Sequence, residues 1–249
     1  MTELVHLAVA DGVATITLDS PHNKNALSQQ LTSELLAHLE TAGADEAVRV
    51  VVLRSALDVF CSGADMSEAT SVGMGVGAQR MVDVQRAIVA LPKPVVARVA
   101  GPVRAGGIGI VAAADISLAA DSTTYALTEV RLGLAAATIS LTVLPRLTDR
   151  AAALTFLTGT TFDGTEAARL GLVTQAVPAE ELDATLDEVL KSLLKGAPQG
   201  LRETKKLLNR ELLADIDARG TDLAELSASL FGSPAAQEAM LAFLNRKKK

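Results

Sequence analysis

Short apolar runs alternate with segments of helical period until about residue 177, and then the strand-like runs stop. The stretches Val48 to Leu53, Val95 to Val99 and Ile116 to Ala119 carry almost no polar alternation. That is the signature of strands buried on both faces, as in a largely parallel sheet covered by helices. Residues 4–18 read as a hairpin: Val13, Thr15 and Thr17 alternate with Ala14, Ile16 and Leu18, and Asp11-Gly12 supplies the turn. Ser28 is placed to cap a helix whose Leu31, Leu35 and Leu39 share a face. Met81, Val84, Ile88 and Leu91 mark a second helix, ended by Pro92 and Pro94. Gly106 to Ala114 is wholly apolar, which predicts a short buried helix. The fold class expected is therefore α/β.

From about Pro178 the pattern is helical only. Leu182, Leu186, Val189 and Leu193 make one amphipathic helix, and Leu201, Lys205, Leu208 and Leu212 fall on one face of another. Two more are expected to start at Asp222 and at Pro234. The chain is accordingly divided into a core, residues 1–195, and a helical region, residues 196–249, that covers the core or packs against another subunit. Of 249 residues, 49% are apolar, enough for a large core, but only 2% are aromatic. Ala, Val, Leu and Ile must build the layers. The stretch Ser71 to Gly77 holds three glycines and is expected to be mobile.

A formal net charge of −6 argues against a nucleic-acid or anionic-membrane surface. Lys247, Lys248 and Lys249 read as a solvated tail. Cys61 is the one cysteine, so no intrachain disulfide forms. No secretory signal pattern opens the chain, and the longest uncharged stretch, Leu132 to Pro145, is too short to span a bilayer. A soluble, cytoplasmic protein is expected. His6, in a strand, and His38, in a helix, read as structural, while His22 lies in a loop near a candidate ligand site; no zinc site is expected. There is no Gly-x-Ser-x-Gly elbow, no phosphate loop and no His-Glu-x-x-His. Gly106-Gly107-Ile108-Gly109 resembles a dinucleotide turn only loosely and lacks the acid expected about 20 residues later.

Two loops remain, Phe60-Cys61-Ser62-Gly63-Ala64-Asp65-Met66 and Ala105-Gly106-Gly107-Ile108-Gly109. Each puts small residues where backbone N–H groups can be exposed, the second at a helix start whose dipole favours negative charge. Two such donors at one oxygen would stabilise an enolate as charge develops. Ordinary tight packing and a turn fit the same residues equally well.

Four blocks in register decide between these readings: Asn25-Ala26-Leu27-Ser28, Phe60 to Met66, Gly101 to Asp115, and Glu129-Val130-Arg131-Leu132-Gly133-Leu134. Their order and spacing resemble the crotonase (enoyl-CoA hydratase/isomerase) family, and the likeness runs from near residue 4 to the C-terminal helices. It implies a crotonase-type spiral of strand-strand-helix units with a helical C-terminal trimerisation region, assembling as a homotrimer or a dimer of trimers. It implies an acyl-CoA substrate and no metal or redox cofactor. Ala64 and Gly106 match the positions whose N–H groups hold the thioester oxygen. Lys24, Ala26, Leu27, Ser62, Asp65 and Met66 match loops that bind coenzyme A. Glu129 matches one of two glutamates that act in members that hydrate enoyl-CoA.

The other glutamate position matches Gly109, which neither activates water nor handles a proton. A one-carboxylate site fits proton shuttling, such as moving a double bond from position 3 to 2, better than hydration. Asp65, Glu68 and Asp83 are nominal replacements, although Asp65 reads better as a cap for the helix after its loop. Arg104 stands where a bulky apolar residue would be ordinary; it either reads a polar acyl tail or points to solvent or a subunit boundary. The leading expectation is an enoyl-CoA hydratase-like enzyme acting on unsaturated acyl-CoA. Isomerisation, thioester hydrolysis, carbon–carbon cleavage and non-catalytic acyl-CoA binding are the alternatives.

Overall fold

The computed structural model describes residues 2–68 and 74–246. The hairpin forms as expected: β1 (Val5–Ala10) and β2 (Val13–Leu18) are antiparallel, and Asp11 (φ 50°) and Gly12 (φ 80°) make the left-handed turn. Ser28 Oγ accepts from the Leu31 N–H and opens α1 (Gln29–Ala44), whose Leu31, Leu35 and Leu39 are buried. Next come β3 (Val50–Ser55), α2 (Met74–Ala90), β4 (Val95–Val99), β5 (Val103–Arg104) and α3 (Gly106–Ala113). They are followed by β6 (Ile116–Ala120), β7 (Thr124–Ala126), α4 (Ala137–Val143), α5 (Asp149–Thr158), β8 (Phe162–Asp163), α6 (Gly164–Leu170) and β9 (Gln175–Val177). The chain closes with α7 (Leu182–Leu194), α8 (Pro198–Phe231) and α9 (Pro234–Arg246).

The main sheet runs β1-β2-β3-β4-β6-β9, parallel from β2 onward. A smaller sheet, β5-β7-β8, stands beside it. Val50, Val52, Val96 and Leu118 pack with Leu182 and Leu186 of α7 on one face of the main sheet. Val51, Leu53, Ala97 and Ala119 belong to the larger core that includes α1, α2 and α3. Burial on both sides explains why these strands read as unbroken apolar runs. Among the described residues no helix is long and apolar enough to cross a membrane.

Three expectations change. No helix starts at Asp222, because α8 runs unbroken from Pro198 to Phe231. Gly220 lies inside this helix and permits close packing: a Cβ there would lie 2.6 Å from Val82 Cγ1 of α2. Leu208 is 76% exposed rather than turned inward with Lys205. Of Ser71 to Gly77, residues 71–73 lie outside the described residues, whereas Met74 to Gly77 form the first turn of α2. Lys247 to Lys249 also lie outside them.

Candidate active site

Two loops are zipped together at one end of the sheet. The Leu27 N–H donates to the Gly63 carbonyl at 2.8 Å, and Leu27 and Ala64 pair in parallel fashion. The Ser62 N–H donates to the Lys24 carbonyl, and Ser62 Oγ donates to the Asn23 carbonyl at 2.9 Å. Lys24 and Asn25 both adopt left-handed φ (58° and 54°), which Asn tolerates better than most residues. Asn25 is fully buried. Its Oδ1 accepts from the Ser20 N–H at 2.7 Å, and its Nδ2 donates to Ser55 Oγ and to the carbonyls of Val59 and Phe60.

The second loop is held just as tightly. The Arg104 N–H donates to the Cys61 carbonyl, and the Ala105 N–H to the Ala126 carbonyl. Ala105 takes a positive φ of 46° and swings the chain into α3. A Cβ on Gly107 would sit 2.6 Å from Cys61 Cβ, so the loops approach at glycine distance. Ala64 and Gly106 line one cavity, and among the described residues neither N–H donates to a backbone carbonyl. Gly106 opens a helix, where unpaired N–H groups are structural necessities.

Glu129 faces the same cavity from the start of a 3₁₀ turn, Glu129–Leu132. Its Oε2 is buried and has no hydrogen-bond partner among the described residues. Burial raises its pKa to about 7, opposed only by the hydrogen bond from its own backbone N–H. The cavity therefore combines unpartnered N–H donors with a carboxyl group that titrates near neutrality.

Of the other residues singled out in sequence, Leu27, Asp65 and Glu68 also line the cavity. Ala26 is buried behind it, while Lys24, Ser62 and Met66 are exposed in the adjoining loops. The helix expected after Asp65 would run into residues 69–73, which lie outside the described residues; Met66 to Glu68 form a turn. Asp65 Oδ1 accepts from the Ser67 N–H and Oγ, closing a turn, and its Oδ2 accepts from Asn23 Nδ2 at 2.8 Å. Burial would raise its pKa, but these hydrogen bonds outweigh burial and hold it below the usual carboxylate range. Glu68 accepts from the Gln29 N–H at the start of α1. Asp83 is exposed on α2 and lies off the cavity. Arg104 turns away, donating to the Val103 and Thr124 carbonyls and to Thr124 Oγ1. Gly109 is buried behind Ile139 and Gln85 and does not reach the cavity.

Sequence reasoning missed the wall from Ala135 to Ile139 and the closing contribution of Ser227 and Phe231 from α8. The wall carries no polar signature of its own. Gln85 was the available clue: a glutamine on the apolar face with Met81 and Ile88, fully buried and bonded to the Met81 and Thr138 carbonyls.

A family model described as enoyl-CoA hydratase/isomerase matches residues 8–249. A crystal structure of an enoyl-CoA hydratase from Mycobacterium avium superposes with a TM-score of 0.92 at 45% identity, covering 99% of this chain and 98% of that one. The human mitochondrial enoyl-CoA hydratase domain-containing protein 2 is 35% identical over 82% of this chain and 73% of its own length. The short-chain-enoyl-CoA hydratase of Clostridium acetobutylicum is 29% identical over 95% of this chain and 92% of its own. The alternating core, the strandless C-terminal region and these likenesses agree: the chain has the crotonase fold and belongs to the enoyl-CoA hydratase/isomerase family.

Proposed function

We propose that this chain acts on unsaturated acyl-CoA thioesters, with the N–H groups of Ala64 and Gly106 holding the thioester oxygen and Glu129 moving the proton. The observation that carries this reading is the buried, unpartnered Oε2 of Glu129 in a cavity shared with two unpartnered backbone donors. Withdrawing a proton beside a thioester places negative charge on the carbonyl oxygen. Donors fixed in advance at that oxygen stabilise the enolate without reorganising. A carboxyl group with a pKa near 7 is poised both to accept the proton and to return it at another carbon.

The reaction that needs only this equipment is movement of a double bond from position 3 to position 2. Of the other carboxylates on the cavity, Asp65 is tied to Asn23 and Ser67, and Glu68 to the N-terminus of α1. Hydration is the second reading, and the names of the relatives favour it. The purified protein is given crotonyl-CoA and a 3-enoyl-CoA while the absorbance of the 2-enoyl thioester is followed. Gain of absorbance from the 3-enoyl substrate with slow loss from crotonyl-CoA supports the first reading. Fast loss from crotonyl-CoA supports the second, and inertness toward both overturns the proposal.

A further inference from the structure

We infer that Ile139 is a specificity-determining residue: it plugs the space in front of Gly109, keeps water from that part of the wall and so holds the site to proton transfer rather than hydration. The inference rests on the proposed reading that Glu129 moves protons on an unsaturated thioester. Its own observations are geometric. A Cβ at Gly109 would meet Ile139 Cγ2 at 2.7 Å and Ile139 Cβ at 3.1 Å, so Ile139 fills the volume into which any side chain at 109 would project. Ile139 is itself 2% exposed and lines the cavity that holds Glu129.

A polar floor lies beneath this plug. Gln85 Oε1 lies 3.2 Å from the same point and accepts from Thr142 Oγ1 at 2.6 Å. Gln85 Nε2 is committed to the Met81 and Thr138 carbonyls, which ties α2 to the start of α4 and leaves Ile139 little freedom to swing aside. A carbonyl oxygen has two acceptor sites, and Thr142 uses one at Gln85. Water needs room and two or more polar partners to reside in a protein. Gln85 Oε1 and the Gly109 carbonyl, both within reach of Thr142 Oγ1, supply the partners, and the branched side chain of Ile139 takes the room.

The test compares the wild-type protein with Ile139→Ala, Ile139→Ser and Ile139→Val. Each is assayed with crotonyl-CoA for hydration and with a 3-enoyl-CoA for double-bond movement. Ile139→Ala removes Cγ2 and opens the space, and Ile139→Ser removes one branch and leaves a single γ atom, a hydroxyl that can hold water, which keeps the test sound if the alanine variant folds poorly. The ratio of hydration to isomerisation is expected to rise about tenfold in both, below the roughly 100-fold lower bound for a full general base because water gains a place but no new base. Ile139→Val, which keeps both branches at Cβ, should stay within about twofold of wild type by the same comparison. A wild type that isomerises, with the ratio unmoved in both the Ala and Ser variants, overturns the inference. A wild type that hydrates faster than it isomerises also overturns it while leaving Glu129 as the proton carrier. A wild type inert toward both substrates overturns the functional reading itself, and this inference with it.

Discussion

Lys205 of α8 places Nζ 2.8 Å from Asp115 Oδ2, where the long helix crosses the junction between α3 and β6. The ammonium also donates to the carbonyls of Ile88 and Lys93, so its three donors are all used. Asp115 accepts from the Val95 N–H and from Asn209 Nδ2 as well. Desolvation lowers the Lys205 pKa, and Asp115 opposes that shift. Lys205→Met takes the ion-pair partner from the partly buried Asp115 carboxylate and a donor from two carbonyls. Stability to urea should fall by about 3–5 kcal/mol, the usual cost of removing one partner from a buried pair. A loss below about 1 kcal/mol, the range of exposed pairs, would show that the contact is solvated.

Asn25 makes a second prediction. It joins Ser20 to Ser55, Val59 and Phe60 and thereby sets the spacing between the Leu27 and Ala64 loops. Asn25→Ala strands the Ser20 N–H in a buried place and puts alanine at a φ of 54°. The expected cost is about 2–3 kcal/mol by the desolvation penalty of unsatisfied groups. On the proposed reading these loops carry the substrate contacts, so KM for an acyl-CoA should rise as well. A KM unchanged in the folded variant would separate Asn25 from the binding loops.

These two clusters show where the sequence is transparent and where it is opaque. The hairpin, α1 with its Ser28 cap, β4 and α3 follow from local patterns, because turn, cap and period each act over a few residues. The candidate loops stand out in the sequence through their glycines and small residues, and Glu129 through its register in a family block. Ile139, Phe231 and Ser227 were not, since their role comes from where α4 and α8 meet the cavity, and no local pattern encodes that. The break expected at Asp222 failed for the same reason: Gly220 answers to Val82 of another helix. Lys205 sat on its expected face, but its partner lies 90 positions away in sequence.

Glu129 links stability to pH. Its pKa is raised from 4.5 to about 7 by burial, so the folded state binds the proton more tightly than the unfolded chain. Its contribution to stability is fully present below pH 4.5 and is lost as pH rises through about 7. At roughly 1.4 kcal/mol per unit the loss is on the order of 3 kcal/mol at most. Glu129→Gln abolishes this dependence, so the variant should gain on wild type between pH 5 and 8 in parallel thermal melts. Its turnover should fall by roughly 10²–10⁴ with little change in KM. A pH-independent difference between the two melts would mean that the carboxylate is hydrated in the folded protein.

Gly106→Pro tests the donor at the start of α3. Proline is compatible with the first position of a helix, because the N–H it lacks has no helical acceptor there. A Cβ at 106 would approach Leu27 Cδ1 to 2.6 Å and Met81 Sδ to 3.3 Å, both ends of flexible side chains that can move aside. Proline also restricts Ala105, whose φ of 46° and ψ of −119° lie outside the extended region a residue before proline adopts, so turnover is compared once a thermal melt shows the variant folded. It then lacks one of the two N–H groups proposed to hold the thioester oxygen. Turnover should fall by about 10²–10³, as when an oxyanion donor is deleted elsewhere. Gly106→Ala is the control: it keeps the N–H and makes the same contact with Leu27, so it reports the cost of crowding alone. If both variants lose activity equally, crowding accounts for the defect and the donor role of Gly106 is refuted. If proline alone is crippled, the charge that develops in the reaction is held at this N–H.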